Sequence, residues 1–357
     1  MSSFSVPVVR IADIEAIPDA DAIELAVIGD YRSVVKKGQF KAGDLVVYLP
    51  EAAVLPEALI EELGLVGKLS GGAKNRIKAI RLRGCLSQGI IYGKVPEGAV
   101  EDDDVAEALC IVKYEPSMPS HFGGGVHVHL GTVMRYGVPL KYDIENFKKY
   151  PHVLEDGEEV EMTEKTHGTF TGIAVVPGID PEYMIDGDGI VYSKGLGAKG
   201  LVFKDIEENA SNLYLKVAKS LDLHNTIRRV FPGKTVHVLG ETYGIGVQDL
   251  GYGASSPAFA AFDIWINGEY LDRDDFAAAV AELGIPRVPV LYRGPFSKEI
   301  LYQHTDGKTV IGNGSHIREG TVVVPVIGRR HRSIGRVMLK SVSGDYLTRK
   351  GDVTEFN

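Results

Sequence analysis

Two lysines, two glutamates and a phenylalanine occur in the order Lys165, Glu241, Phe262, Glu319, Lys340. Each lies in or beside a run that reads as a β-strand: VEMTEKTHG, VLGETYG, AFDIW, REGTVVVPV and RVMLKSVSG. A lysine attacks phosphorus only when neutral, which requires burial or nearby cations. A second cation neutralises charge growing on phosphate oxygens. Carboxylates hold a ribose or a divalent ion with its waters, and an aromatic face stacks on a base. Together the five residues are the parts of a nucleotidyl transfer. Singly, each has an ordinary reading as an exposed lysine, a solvated glutamate or a core phenylalanine. Lys165-Thr166-His167-Gly168 taken alone is a weak signal, although Gly168 would let the backbone approach a ligand without a Cβ in the way.

The elements that must carry these residues change character along the chain. VPVVRIADIEAI, IELAVIG, YRSVVKKGQF and DLVVYLP are β-branched runs bounded by Gly, Asp and Pro. PEALIEELGL reads as a short helix, and KNRIKAIRLRG and GIIYGKV as further strands. Short strands with one helical insertion predict a small barrel, an OB-fold, over residues 1–112. The break is placed near Lys113, where an acidic run gives way to two prolines and GGG. Residues 113–357 predict an α+β domain on antiparallel sheet. Its helices are SNLYLKVAKSLDLHNTIRRVF and RDDFAAAVAELG; in the second, acidic residues suit the start and Gly284 the end.

The 357 residues exceed one typical core, and 44% hydrophobic with 24% charged residues is ordinary for a globular protein. A net charge of -9 argues against bulk nucleic-acid coating but allows a local basic groove. Two cysteines make neither a disulfide scaffold nor a zinc site. The N-terminus lacks a secretory pattern and no apolar run approaches the ~20 residues of a membrane span, so a cytoplasmic protein is expected. His127 and His129 alternate on a possible strand, without a third ligand at recognisable spacing, so surface histidines are expected rather than a metal pair.

The order and spacing of these motifs resemble the covalent nucleotidyltransferase superfamily: ATP-dependent DNA ligases, RNA ligases and mRNA capping enzymes. Lys165-Thr166-His167-Gly168 matches its nucleophile motif, and His167 at the third position is similar to RNA ligases. The resemblance implies an adenine-edge contact for Glu164, a ribose contact for Glu241 in Gly240-Glu241, and stacking of adenine on Phe262 in Phe262-Asp263-Ile264. It implies that Glu319, in Glu319-Gly320, reaches a metal through its waters, and that Lys340 is the second cation. Met338 stands where many members carry another lysine. Lys194, in YSKGLG, is the candidate phosphate or RNA-end contact.

IEAIPDADAIELAVIGDYRSVV…FKAGDLVVYLPEAAVLP and KYDIENFKKYP resemble the OB module and lead-in of nick-sealing RNA ligases. The implied fold is an OB barrel followed by an antiparallel-sheet, ATP-grasp-like adenylyltransferase domain. The implied activity uses ATP with Mg²⁺ or Mn²⁺ to seal RNA or an RNA-containing nicked duplex through lysyl-AMP and RNA-adenylate. No obligate protein partner is evident in the sequence.

Two basic clusters are candidate RNA contacts. Lys74, Arg76 and Lys78 alternate, with Arg81 and Arg83 continuing after a one-residue shift; a strand with a bulge would present them on its faces. A solvated barrel face is an equal reading. Arg329, Arg330 and Arg332, with Arg336, lead into Lys340, and nearness to the site favours phosphates. The alternatives are a DNA ligase or GTP-dependent capping-type enzyme, or a non-catalytic nucleic-acid-binding relative.

Overall fold

The structure, a computed structural model, describes residues 4–115, 126–129, 142, 144–183, 186–194 and 200–350. The Pro/Gly stretch at 116–125, expected as an arm of the second domain, lies outside them. Near the N-terminus, β1 (Val8–Arg10), β5 (Leu45–Leu49) and β9 (Ile90–Tyr92) form one sheet, and β2 (Asp13–Ala16), β3 (Ile23–Ile28) and β4 (Tyr31–Lys36) another. β6 (Ala53–Val54) pairs with β10 (Val112–Lys113), and β7 (Ile80–Leu82) with β8 (Cys85–Ser87). β3 and β4 meet at Gly29-Asp30, where Gly29 takes φ 54°, the left-handed conformation a two-residue hairpin needs. Along β5 the period of two buries both faces. Val47 and Leu49 pack with Leu59 and Ile60 of helix α1 (Glu57–Glu62), while Val46 and Tyr48 pack with Ala26, Ile28 and Val35. This is the predicted barrel.

One expectation here fails. KNRIKAIRLRG is not a continuous strand: Lys74 and Arg83 sit in turns with φ 52° and 50°, and only Ile80–Leu82 belongs to a strand. The two basic faces therefore do not exist as such, because two left-handed residues redirect the chain within ten positions.

The rest of the chain builds two sheets. The larger runs β11 (His127–His129), β16 (Leu201–Phe203), β15 (Gly189–Ser193), β14 (Thr169–Val175), β17 (Val236–Tyr243), β18 (Ala258–Ile266) and β19 (Glu269–Tyr270) in spatial order. The smaller runs β12 (Glu145–Asn146), β24 (Leu339–Val342), β21 (Gly320–Pro325), β13 (Glu159–Glu164) and β20 (Val290–Pro295). A hairpin, β22 (Arg330–His331) and β23 (Gly335–Arg336), precedes β24.

Alternation assigns the faces. Ile173 and Val175 of β14 and Val236 and Val238 of β17 pack on helices α2 (Leu213–Ser220), α3 (Leu223–Val230) and α4 (Arg273–Leu283). Ala174 and Leu239 point the other way, to the face that carries Phe170 and Phe262. On β13, Val160 and Met162 join an apolar cluster with Leu301 of α5 (Lys298–Thr305), leaving Glu161 for the opposite side.

The predicted long helix is two. α2 and α3 break at Asp222, which adopts φ 48°, a conformation that ends a helix wherever a non-glycine residue adopts it. α4 ends at Gly284 with φ 67° and carries Asp274 and Asp275 in its first turn, as expected. Among the described residues no helix is long and apolar enough to cross a membrane.

Candidate active site

Lys165 follows the last residue of β13, and Glu319 precedes the first of β21. Because Glu164 pairs with Thr321, the two strand ends lie side by side, and Lys165 N–H donates to Gly320 O at 2.9 Å. This brings Lys165 Nζ to 2.6 Å from Glu319 Oε1 across 154 positions of sequence. The glycines are demanded by the packing. A Cβ on Gly168 would lie 2.2 Å from Thr242 O, and one on Gly320, at φ 153°, would lie 2.1 Å from Ser341 O.

A pocket of about 490 Å³ opens here, between the sheets and against the barrel. Its walls include Lys165, His167, Gly168, Lys194, Glu241, Phe262, Glu319 and Lys340. All eight were named from the sequence as candidate site residues, and the fold gathers them into one cavity. From the barrel, Arg76 and Lys78 also reach it, so part of the first basic cluster arrives by a different backbone path than a strand.

The electrostatics are tightly coupled. Burial disfavours charge on Lys165, but Glu319 and Glu241 outweigh it and hold its pKa above the ordinary lysine value. Glu241 is pushed up to about 8 by burial, eased by Lys165 and reinforced by Glu319. Lys340 is pulled down to about 8 by burial and by the charges of Lys165 and Lys194. In this structure Lys165 is therefore an ammonium paired with Glu319, not the neutral amine the chemistry needs. An amine held in this way attacks phosphorus only once the pairing is lost.

Other predicted residues lie elsewhere. Glu164 is buried beside the pocket, accepting from Thr309 Oγ1 at 2.5 Å and Val310 N at 2.8 Å. Arg329 is tied to Glu158 at 2.5 Å and to Val153 O at 2.7 Å, so it holds the chain together rather than facing the cavity. Arg330 and Arg332 are exposed on the hairpin, and Arg336 is engaged by the buried Asp263. Arg81 bonds Asp345 at 2.6 Å, while Lys74 and Arg83 are exposed away from the pocket wall. The second basic cluster thus does not converge on the site. Met338 is buried and is not part of the pocket wall, whereas Lys340 is. His127 and His129 pair with β16, and no group of three potential ligands gathers among the described residues.

Several contributors had no local signal. Tyr142 stacks on Phe262 with ring centroids 5.0 Å apart and bonds Asp263 at 2.8 Å. Arg273, at the start of α4, donates to Phe262 O at 3.1 Å and pairs with the buried Glu161, which also receives Arg287 at 2.7 Å. A charge triad under the strand of Phe262 cannot be read from residues over a hundred positions apart.

Two lysines beside paired carboxylates and an aromatic wall, in a pocket between two antiparallel sheets with a barrel alongside, are the arrangement of the covalent nucleotidyltransferase class. The sequence profile of the RNA ligase family matches residues 158–342, more than half of the chain, and that of an OB-fold domain matches residues 5–94. The chain belongs to the RNA ligase family and is an RNA ligase. Solved structures of an RNA ligase from Naegleria gruberi share the fold. A mutant with ATP and Mn superposes with a TM-score of 0.77 at 22% identity, covering 96% of this chain and 98% of that one. An apo mutant gives 0.76 at 23% over 97% and 98%, and the form with PPi gives 0.75 at 23% over 96% and 97%. No curated protein sequence matches.

Proposed function

We propose that this RNA ligase uses ATP to seal 3′-hydroxyl and 5′-phosphate ends, nicks above all, through lysyl-AMP. The observation that carries the reading is Lys165 beside Glu319 in a pocket that also holds Glu241, Phe262, Lys194 and Lys340. Lys165 Nζ attacks the α-phosphorus of ATP, and the bond to pyrophosphate breaks. AMP then passes to an RNA 5′-phosphate, and the 3′-hydroxyl of the adjoining strand displaces AMP as the phosphodiester forms. In this reading Phe262 carries the adenine, Glu241 the ribose hydroxyls, and Lys340 and Lys194 the phosphate oxygens. Glu164 keeps unused acceptor positions for the adenine edge even while bonded to Thr309 and Val310.

The donor set suits Mg²⁺ or Mn²⁺, hard ions that take few carboxylates together with phosphate oxygens and water. Glu319 would hold the ion, and the mutual repulsion that helps lift Glu241 is the observation that fits it. Such an ion supplies positive charge at the transferring phosphate. The chain's own part is to place Lys165, to exchange its Glu319 contact, and to bind the nucleotide. The barrel, bounded near Lys113 in this reading, lends Arg76 and Lys78 to the RNA backbone, and the enzyme works in the cytoplasm.

Incubation with α-labelled ATP and Mg²⁺, followed by denaturing electrophoresis, tests this. A labelled protein band is expected with ATP, weak or absent with GTP, and lost in Lys165→Ala. Label that survives Lys165→Ala would overturn it. Addition of a 5′-phosphorylated nicked duplex with ribose at the 3′-hydroxyl should discharge the band into sealed product. Equal sealing of an all-DNA nick would remove the preference for RNA.

A further inference from the structure

His167, two residues from the nucleophile, is fixed on both ring nitrogens. Its Nε2 lies 2.8 Å from Asp249 Oδ1 and its Nδ1 2.9 Å from Tyr346 Oη. A carboxylate can only accept, so Nε2 carries the proton. In the tautomer protonated at Nε2, Nδ1 is the acceptor and the Tyr346 hydroxyl donates to it. Asp249 is itself forked by Arg349, whose Nε and Nη2 lie 3.0 and 3.3 Å away. Arg349 closes the ring of contacts by stacking its guanidinium 3.7 Å from the Tyr346 ring centre and donating to Tyr346 O at 2.9 Å.

Tyr346 lies in the short helix α6 (Gly344–Leu347), directly after the strand of Lys340. Ser343 caps that helix, accepting from Tyr346 N, and donates its own N–H to Glu319 O at 2.9 Å. The same seven-residue segment, 343–349, thus touches the backbone of Glu319 and the ring of His167. His167 Nδ1 is 3.8 Å from Glu319 Oε2. The segment therefore bears on both members of the Lys165–Glu319 pair.

We propose that Tyr346, braced by Arg349 and Asp249, is a positioning residue for the lysine adenylylation step. It sets the tautomer and rotation of His167 and so the path of residues 165–168. The proposal rests on the lysyl-AMP reading above. An in-line attack loses about 10²-fold for misplacements near 1 Å, and removing one hydroxyl from a buried bond is a smaller disturbance. Tyr346→Phe should slow single-turnover lysyl-AMP formation by roughly tenfold at saturating ATP. The KM for ATP should stay within about twofold and the thermal midpoint within a few degrees. Asp249→Asn, which keeps a group opposite Nε2 but weakens the Arg349 fork, should act in the same direction. The assay is the formation of labelled protein by rapid quench, with a melting curve on each variant. A wild-type rate in Tyr346→Phe would overturn the proposal, as would a loss confined to KM or one that only tracks a lowered midpoint. Failure of the wild-type protein to label would instead overturn the lysyl-AMP reading, and this inference with it.

Discussion

Lys165 Nζ and Glu319 Oε1 are 2.6 Å apart, and the pairing favours the charged, unreactive form of the lysine proposed as the nucleophile. The residue proposed to hold the metal is the same residue that restrains the lysine. Glu319→Gln should therefore separate two properties. Lys165 should become more reactive toward a simple amine-acylating reagent at pH 8, while lysyl-AMP formation falls by ~10²-fold or more. Peptide mapping after limited acylation reads the first and labelled ATP the second. Unchanged acylation of Lys165 would show that Glu319 does not control its charge.

Glu241 makes the resting site costly at high pH. Its folded pKa of about 8 stands above the usual 4.5, so between those values the folded protein keeps a proton that the unfolded chain has released. Its contribution to stability is complete below about 4.5 and is lost as pH rises through about 8. Glu241→Gln removes this titration. Urea unfolding should show the variant gaining on the wild type by about 4 kcal/mol between pH 5 and pH 8.5. A pH-independent difference would contradict the shift.

Lys340 should make ligand affinity fall with pH as well. Its pKa of about 8 in this structure means the cation is fading just above neutrality, and a bound triphosphate favours the charged form. Affinity for α,β-methylene-ATP should fall above about pH 8, by up to tenfold per unit. In Lys340→Met affinity should be lower throughout, and the part of the slope due to this lysine should vanish. An identical slope in the variant would place the titration on another group.

Glu161 lies between Arg273 and Arg287 and is 1% exposed. Glu161→Ala strands two cations in the interior, and a broken buried pair costs about 3–5 kcal/mol. Because Arg273 also bonds Phe262 O, the KM for ATP should rise in whatever fraction folds. Denaturant titration and ATP kinetics check both effects.

The parts of the site legible in the sequence were those whose chemistry is local. A glycine beside Lys165 or Glu319 is required by the backbone packed against it, Thr242 O at Gly168 and Ser341 O at Gly320, but it sits at a fixed offset from the functional residue, so residue type and spacing survive as a signal. The barrel was legible for a similar reason, since alternation and turn residues act over a few positions. The basic run from Lys74 to Arg83 misled because charge periodicity was read without the two left-handed residues that bend it. The break at Asp222 was hidden because the apolar spacing continues across it. Tyr346, Asp249 and Arg273 were not legible, since their partners lie 82 to 179 positions away and only the packed sheets bring them together.

The most direct test is the site of the covalent bond. The protein is incubated with ATP and Mg²⁺, quenched, digested under conditions that preserve phosphoramidates, and mapped by mass spectrometry. The account predicts AMP on Lys165 alone, carried to a nicked RNA duplex when ATP is removed and RNA supplied. AMP on another residue, or RNA sealing without any protein-bound AMP, would contradict it.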